Sequence, residues 1–202
     1  MQRYLIIILV VIFVGGLFWY FKSGYEPIKP SFGTNIIFFG DSLVKGVGAN
    51  EGKSLPSLLS DKIGLPVINA GVSGDTTEMG LVRLNKDVLQ KDPKLVIIVL
   101  GGNDFLRRVP KAQTLANISS IVAQIKAQGA GVVLAGFNAT IFGNYSSDYE
   151  NIAEEEQVGF VPNIFSGVLG DKSLMSDTIH PNEKGYAKMV EKFVPVIFDI
   201  LE

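Results

Sequence analysis

The sequence has no cysteine, and it has only one histidine and one tryptophan. Without cysteine there is no disulfide, no thiolate metal site and no lipid carried on a thiol, and the redox compartment stays undetermined. With a single imidazole, any chemistry that needs a histidine base must fall to His180. Charge of one sign is lacking too. The 18 lysines and arginines are set among 20 acidic residues, for a net charge of -2. Such a balance leaves no basic footprint and argues against nucleic acid as a partner. There is no internal repeat and no low-complexity tract.

One long apolar run is present. Tyr4 to Phe21 holds 18 residues without a charge, with Arg3 before it and Lys22 after it. As a helix it would span about 27 Å, close to the hydrocarbon thickness of a bilayer. Trp19 and Tyr20 stand where an interfacial aromatic belt belongs. A cleavable signal peptide has a shorter apolar region and a small-residue cleavage site, and no A-x-A-like site follows here. Residues 1–22 are therefore expected to form a membrane anchor helix. Arg3 favours a cytoplasmic amino terminus, although Lys22 and Lys29 counter it, and the rest of the chain is expected to be exported (periplasmic or otherwise extracytoplasmic). If the helix is instead cleaved, the product is secreted. Residues 23–34, with Pro27, Pro30, Gly24 and Gly33, read as a short linker. Residues 35–202 suffice for one domain with a real core.

Within that domain, strand-like and helix-like segments alternate. Strands are expected at 36–39, 66–70, 95–100, 131–136 and 158–161, the run LVIIVL at 95–100 being the clearest buried one. Helices are expected at 55–63 behind Ser54 as a cap, and at 76–90, 114–128 and 147–156. A last helix is expected to close the chain between Pro181 and Leu201, with Pro181 near its first turn. This order argues for an α/β fold with a mainly parallel sheet covered on both faces.

Four segments carry polar residues beside glycine or proline: Gly40-Asp41-Ser42, Gly71–Asp75, Gly101–Asp104 and Asp177–His180. A parallel sheet brings the first three to one rim. Acyl transfer needs a nucleophile, a base, a group that orients the base and donors for an oxyanion. Ser42 is the nucleophile candidate and His180 the base. Asp177, three residues earlier, can fold back on the imidazole. Asn103 offers an NH2 donor, and Gly74, Gly101 and Gly102 let backbone N–H groups approach a substrate. Each has a plainer role open to it: Ser42 as a helix cap, Gly74 as a turn, Asn103 and Asp104 as turn formers, Asp177 as a turn cap and His180 as a surface residue. Gly46 and Gly48 read as slack in the turn beside Ser42. Gly46 to Ser54 is not a P-loop, because the spacing G-x-x-x-x-G-K-[ST] puts its first glycine at Val47. Nor does Gly71–Asp75 complete G-x-S-x-G.

Taken together, the segments FFGDSLVKGVG around Ser42, NAGVSGDTT around Gly74, VLGGND at Asn103 and DTIHPN with Asp177 and His180 resemble the four motif blocks of the GDSL esterases, or SGNH hydrolases. The resemblance runs from about Asn35 to the carboxyl terminus and is nearest the bacterial lysophospholipase and thioesterase-type members. It implies a flavodoxin-like three-layer fold with about five parallel strands. It implies that Ser42 attacks an ester or thioester carbonyl, with His180 as base and Asp177 orienting it. It also implies an oxyanion hole made by the Ser42 and Gly74 backbone N–H groups and the Asn103 side chain. No metal or cofactor is implied. Short acyl or aryl esters, lysophospholipid and acyl-CoA all fit this chemistry. A carbohydrate O-deacetylase would use the same residues, and a catalytically inactive, membrane-tethered binding module remains the reading of another class.

Overall fold

The structure, a computed structural model, describes residues 27–139, 141 and 143–202. The apolar run expected to anchor the chain lies outside the described residues. Among the described residues no helix is long and apolar enough to cross a membrane.

Apolar runs rich in β-branched residues and phenylalanine form the strands. They are β1 (Asn35–Gly40), β2 (Val67–Gly71), β3 (Pro93–Val99), β4 (Gly131–Ala135) and β7 (Gly159–Val161), paired in parallel in the order β2-β1-β3-β4-β7. A two-stranded antiparallel pair, β5 (Asn138–Ala139) and β6 (Gly143–Asn144), projects between β4 and β7 and was not foreseen from sequence. Because β1 leads outward to β2 and the chain then crosses to β3 on the other side, the topological switch lies between β1 and β3. Ligands of open α/β sheets bind at that point, beyond the carboxyl ends of the strands.

Helices cover both faces. On one lie α2 (Leu55–Ile63), α7 (Glu183–Val190) and α8 (Val194–Leu201). On the other lie α3 (Thr77–Asp87), α5 (Lys111–Lys126) and α6 (Ser146–Glu156). Two short helices, α1 (Ser42–Lys45) and α4 (Gly102–Leu106), sit directly on the ends of β1 and β3. Successive side chains of β1 serve opposite faces, as strand geometry requires. Phe38 meets Phe193 edge-on with ring centroids 5.2 Å apart, whereas Phe39 lies under the Arg83 guanidinium at 4.3 Å.

One expectation is corrected here. The carboxyl-terminal segment forms two helices, not one: α7 ends at Val190 and α8 begins at Val194, with Pro195 in its first turn. A proline has no N–H to give and crowds the preceding turn, so it suits a helix start and not an interior. Pro181 stands just before the first turn of α7. It precedes the N-cap Asn182 and pairs with Met175 in an isolated bridge. The described part of residues 23–34 is fastened to the domain. Backbone N–H groups of Ile28, Ser31 and Thr34 donate to the carbonyls of Gln157, Gly129 and Asp92, all at the amino ends of the strands.

Candidate active site

The site grows from the end of β1. Gly40 is followed by Asp41, whose side chain caps α1 by accepting the Leu43 N–H at 3.0 Å. The cap role open to Ser42 is thus taken by Asp41. Ser42 becomes the first residue of the helix, with its hydroxyl turned outward. Gly40 must be glycine: a Cβ there would sit 2.4 Å from both the Val99 carbonyl oxygen and a Val44 methyl group.

His180 reaches Ser42 from the far end of the sequence. Its Nε2 stands 3.1 Å from Ser42 Oγ, and its Nδ1 stands 2.8 Å from Asp177 Oδ2. The other carboxylate oxygen of Asp177 accepts the backbone N–H groups of Ile179 and His180, both at 2.7 Å. The hydrogen bond from the His180 side chain, with these backbone donors, holds the Asp177 carboxyl down to about 2. The Asp177–His180 loop is itself fastened. Asn182 Nδ2 donates to the Ser173 and Met175 carbonyls, and Ser176 N–H donates to the His180 carbonyl. Gly48 is not slack. Its φ of +95° and its position against this loop, where a Cβ would lie 2.5 Å from the Pro181 carbonyl oxygen and 3.1 Å from the His180 Cβ, let the serine turn and histidine loop touch.

Asn103 lies in α4 at the end of β3, and its Nδ2 donates to the Asp75 carbonyl at 3.0 Å and to Asp41 Oδ2 at 3.1 Å. Gly74, with φ +84°, lies in the loop after β2, and its carbonyl accepts Arg107 Nη2 at 2.8 Å. Ser42, Gly74, Asn103 and His180 all line one pocket of about 280 Å³, whose other walls include Leu43, Val47, Leu106, Ile164, Phe165 and Ile179. Asp177 stands behind His180, outside the pocket lining.

Several residues that build the site were not singled out from the sequence. Arg83 ties three of its parts together: Nε donates to Asp75 Oδ2 at 2.5 Å, Nη1 to the Ala70 carbonyl and Nη2 to the Gly40 carbonyl. Asp104, fully buried, accepts from Thr77 N–H, Thr77 Oγ1 and Thr114 Oγ1, joining α4 to α3 and α5. The Tyr149 hydroxyl donates to the Leu100 carbonyl, and burial pushes its ionisation well up. Lys192 donates to the carbonyls of Asn163, Ile164 and Ser166 and so holds the pocket wall at Ile164 and Phe165; burial pushes its ammonium down to about 8. Only Asp41 and Asp104 left a trace in the sequence, as acidic residues just past apolar strands. Among the described residues no cluster of histidine and acidic side chains is arranged to hold a metal ion.

A serine, an imidazole and a carboxylate in one hydrogen-bonded line beside an apolar pocket, at the switch point of a parallel sheet, have the form of a hydrolase site. The chain belongs to the GDSL-like Lipase/Acylhydrolase family, whose model matches residues 38–188. Among curated relatives, the arylesterase of Vibrio mimicus is 35% identical over 77% of this chain and 84% of its own length. Thioesterase 1/protease 1/lysophospholipase L1 of Escherichia coli strain K12 is 33% identical over 73% of this chain and 75% of its own. The crystal structure of TesA matches with a TM-score of 0.77 and 30% identity, covering 83% of this chain and 100% of that one. The protein is an ester hydrolase of this family.

Proposed function

We propose that Ser42 is the nucleophile of an acyl-enzyme mechanism acting on carboxylic esters or thioesters with an apolar acyl group. The observation that carries this reading is the Ser42 Oγ–His180 Nε2–Asp177 line, 3.1 and 2.8 Å long, opening into an apolar pocket. His180 takes the Ser42 proton as Oγ attacks the carbonyl carbon, then delivers it to the leaving alkoxide or thiolate. Asp177 keeps Nδ1 protonated and stabilises the imidazolium. The oxyanion is held by the Ser42 and Gly74 backbone N–H groups and by Asn103 Nδ2. Water then repeats the cycle on the acyl-enzyme and releases the acid.

The pocket favours an acyl chain over an acetylated sugar. Its walls are mostly aliphatic and aromatic, and Leu106 among them is itself exposed. The names of the relatives, arylesterase and lysophospholipase, point the same way. Residues 1–22 would anchor the domain to a membrane, with the hydrolase exported. The described chain begins beside Gln157 and Gly129, at the pole of the sheet opposite the pocket.

A substrate panel tests this. Turnover of p-nitrophenyl butyrate, a lysophospholipid and an acyl-CoA is expected to exceed that of an acetylated xylan by roughly tenfold or more in kcat/KM, the discrimination that a few buried methylenes provide. Preference for the acetylated sugar would favour the deacetylase reading instead.

A further inference from the structure

Asp41 is a buried carboxyl group that the mechanism above does not use. It is 5% exposed, and burial pushes its ionisation up to about 7. Capping α1 does not require such a group. Asparagine caps a helix as well as aspartate does and carries no charge to desolvate. A carboxylate differs from an amide in that both of its oxygens accept. Here both are used: Oδ1 takes the Leu43 N–H and Oδ2 takes Asn103 Nδ2.

That second contact bears on the oxyanion site. The two ends of an asparagine amide have nearly the same size, so packing alone does not decide which one faces a substrate. Hydrogen-bond partners decide it. Asn103 Nδ2 lies between two acceptors from different segments, Asp41 Oδ2 at 3.1 Å and the Asp75 carbonyl at 3.0 Å. Turned over, the amide would set its own oxygen against both. The Asp75 side chain is held in turn by Arg83, so the second acceptor sits on a braced loop.

We infer that Asp41 is a positioning residue for the hydrolysis. Its carboxylate holds the Asn103 amide with the NH2 end toward the acyl oxygen, so that the third oxyanion donor is in place before substrate arrives. When the oxyanion forms, the amide exchanges one of these two Nδ2 hydrogen bonds for one to the oxyanion, while the other keeps it seated. The inference rests on the reading of Asn103 as an oxyanion donor.

A double-mutant cycle on the full chain, read as kcat and KM for p-nitrophenyl butyrate, tests it. Asn103→Ala is expected to lower kcat by about 10²-fold, as for one lost oxyanion donor. Asp41→Asn keeps the cap and the volume but sets NH2 against NH2. It is expected to lower kcat by about tenfold or more with KM nearly unchanged, the pattern of an interaction made only in the transition state. The double variant is expected to be no slower than Asn103→Ala alone, because Asp41 acts through that amide. Asp41→Ser, which retains a capping oxygen and cannot reach Asn103, gives the same pattern should the asparagine variant fold poorly. Losses that multiply to about 10³-fold, as independent sites do, would overturn the inference while leaving Asn103 as a donor. So would a normal kcat in Asp41→Asn. An unchanged kcat in Asn103→Ala would remove Asn103 from the oxyanion site and the inference with it.

Discussion

Replacing Ser42 by alanine is expected to lower kcat on p-nitrophenyl butyrate by roughly 10⁴-fold or more, with the fold intact, because residual catalysis would come only from binding and oxyanion contacts. The structure makes this a clean substitution. The cap of α1 is Asp41, and the Ser42 side chain is engaged by the hydrogen bond between Oγ and His180 Nε2. Alanine is a good helix residue, so removing Oγ leaves α1 its cap, its turn and its buried Leu43 and Val44. Activity and circular dichroism measured together check it: the spectrum should match the parent while turnover falls. A Ser42→Ala enzyme with near-normal kcat would remove Ser42 from the chemistry.

Replacing Asp177 by asparagine is expected to lower kcat by about 10³-fold or more, through the imidazole tautomer and not through the fold. Oδ1 of Asp177 accepts two backbone N–H groups, and an asparagine can keep both of those bonds with its own oxygen. Its NH2 then faces His180 Nδ1, where the carboxylate Oδ2 now lies at 2.8 Å. A donor at that place forces Nδ1 to accept and moves the ring proton to Nε2. Nε2 then presents a hydrogen to Ser42 Oγ where a lone pair is needed. The sign of the pH effect also follows. Because the Asp177 carboxyl is held down to about 2, it stays ionised through mild acidification. Loss of activity in that range therefore does not come from Asp177, whereas the Asp41 carboxyl, pushed up to about 7 by burial, takes up its proton there, so activity should rise with pH as Asp41 ionises. A pH–rate profile of parent and variant checks both points. Normal kcat in Asp177→Asn would show that the carboxylate does not orient the base.

What was legible in the sequence was whatever one segment carries alone. Runs such as LVIIVL at 95–100 have to be buried strands, and they lie in the sheet with one or two residues of adjustment at each end. Ser42, Gly74, Asn103 and His180 were each marked by a glycine or proline beside a polar residue, and the parallel topology gathers them at one pocket. What was not legible depends on partners far away in the chain. Arg83 looks like an exposed helix residue, yet it bonds to the Asp75 carboxylate and to the carbonyls of Ala70 in β2 and Gly40 in β1, partners that its own segment does not reveal. Asp41 and Asp104 each read as an ordinary turn acid until Asn103, Thr77 and Thr114 close around them. The break between α7 and α8 has a local signal in Pro195, which stands in the first turn of α8. The pocket wall at Ile164 and Phe165 has no periodicity of its own. It is held by Lys192 from the turn between α7 and α8.

The most direct measurement is the mass of the protein after reaction with a fluorophosphonate probe, which a serine oxygen attacks at phosphorus with loss of fluoride. If Ser42 is the nucleophile, the parent gains one phosphonyl group on the peptide carrying Ser42, in step with loss of esterase activity. The Ser42→Ala protein gains none. Labelling of another residue in step with inactivation, or full inactivation with Ser42 unmodified, would contradict the acyl-enzyme mechanism.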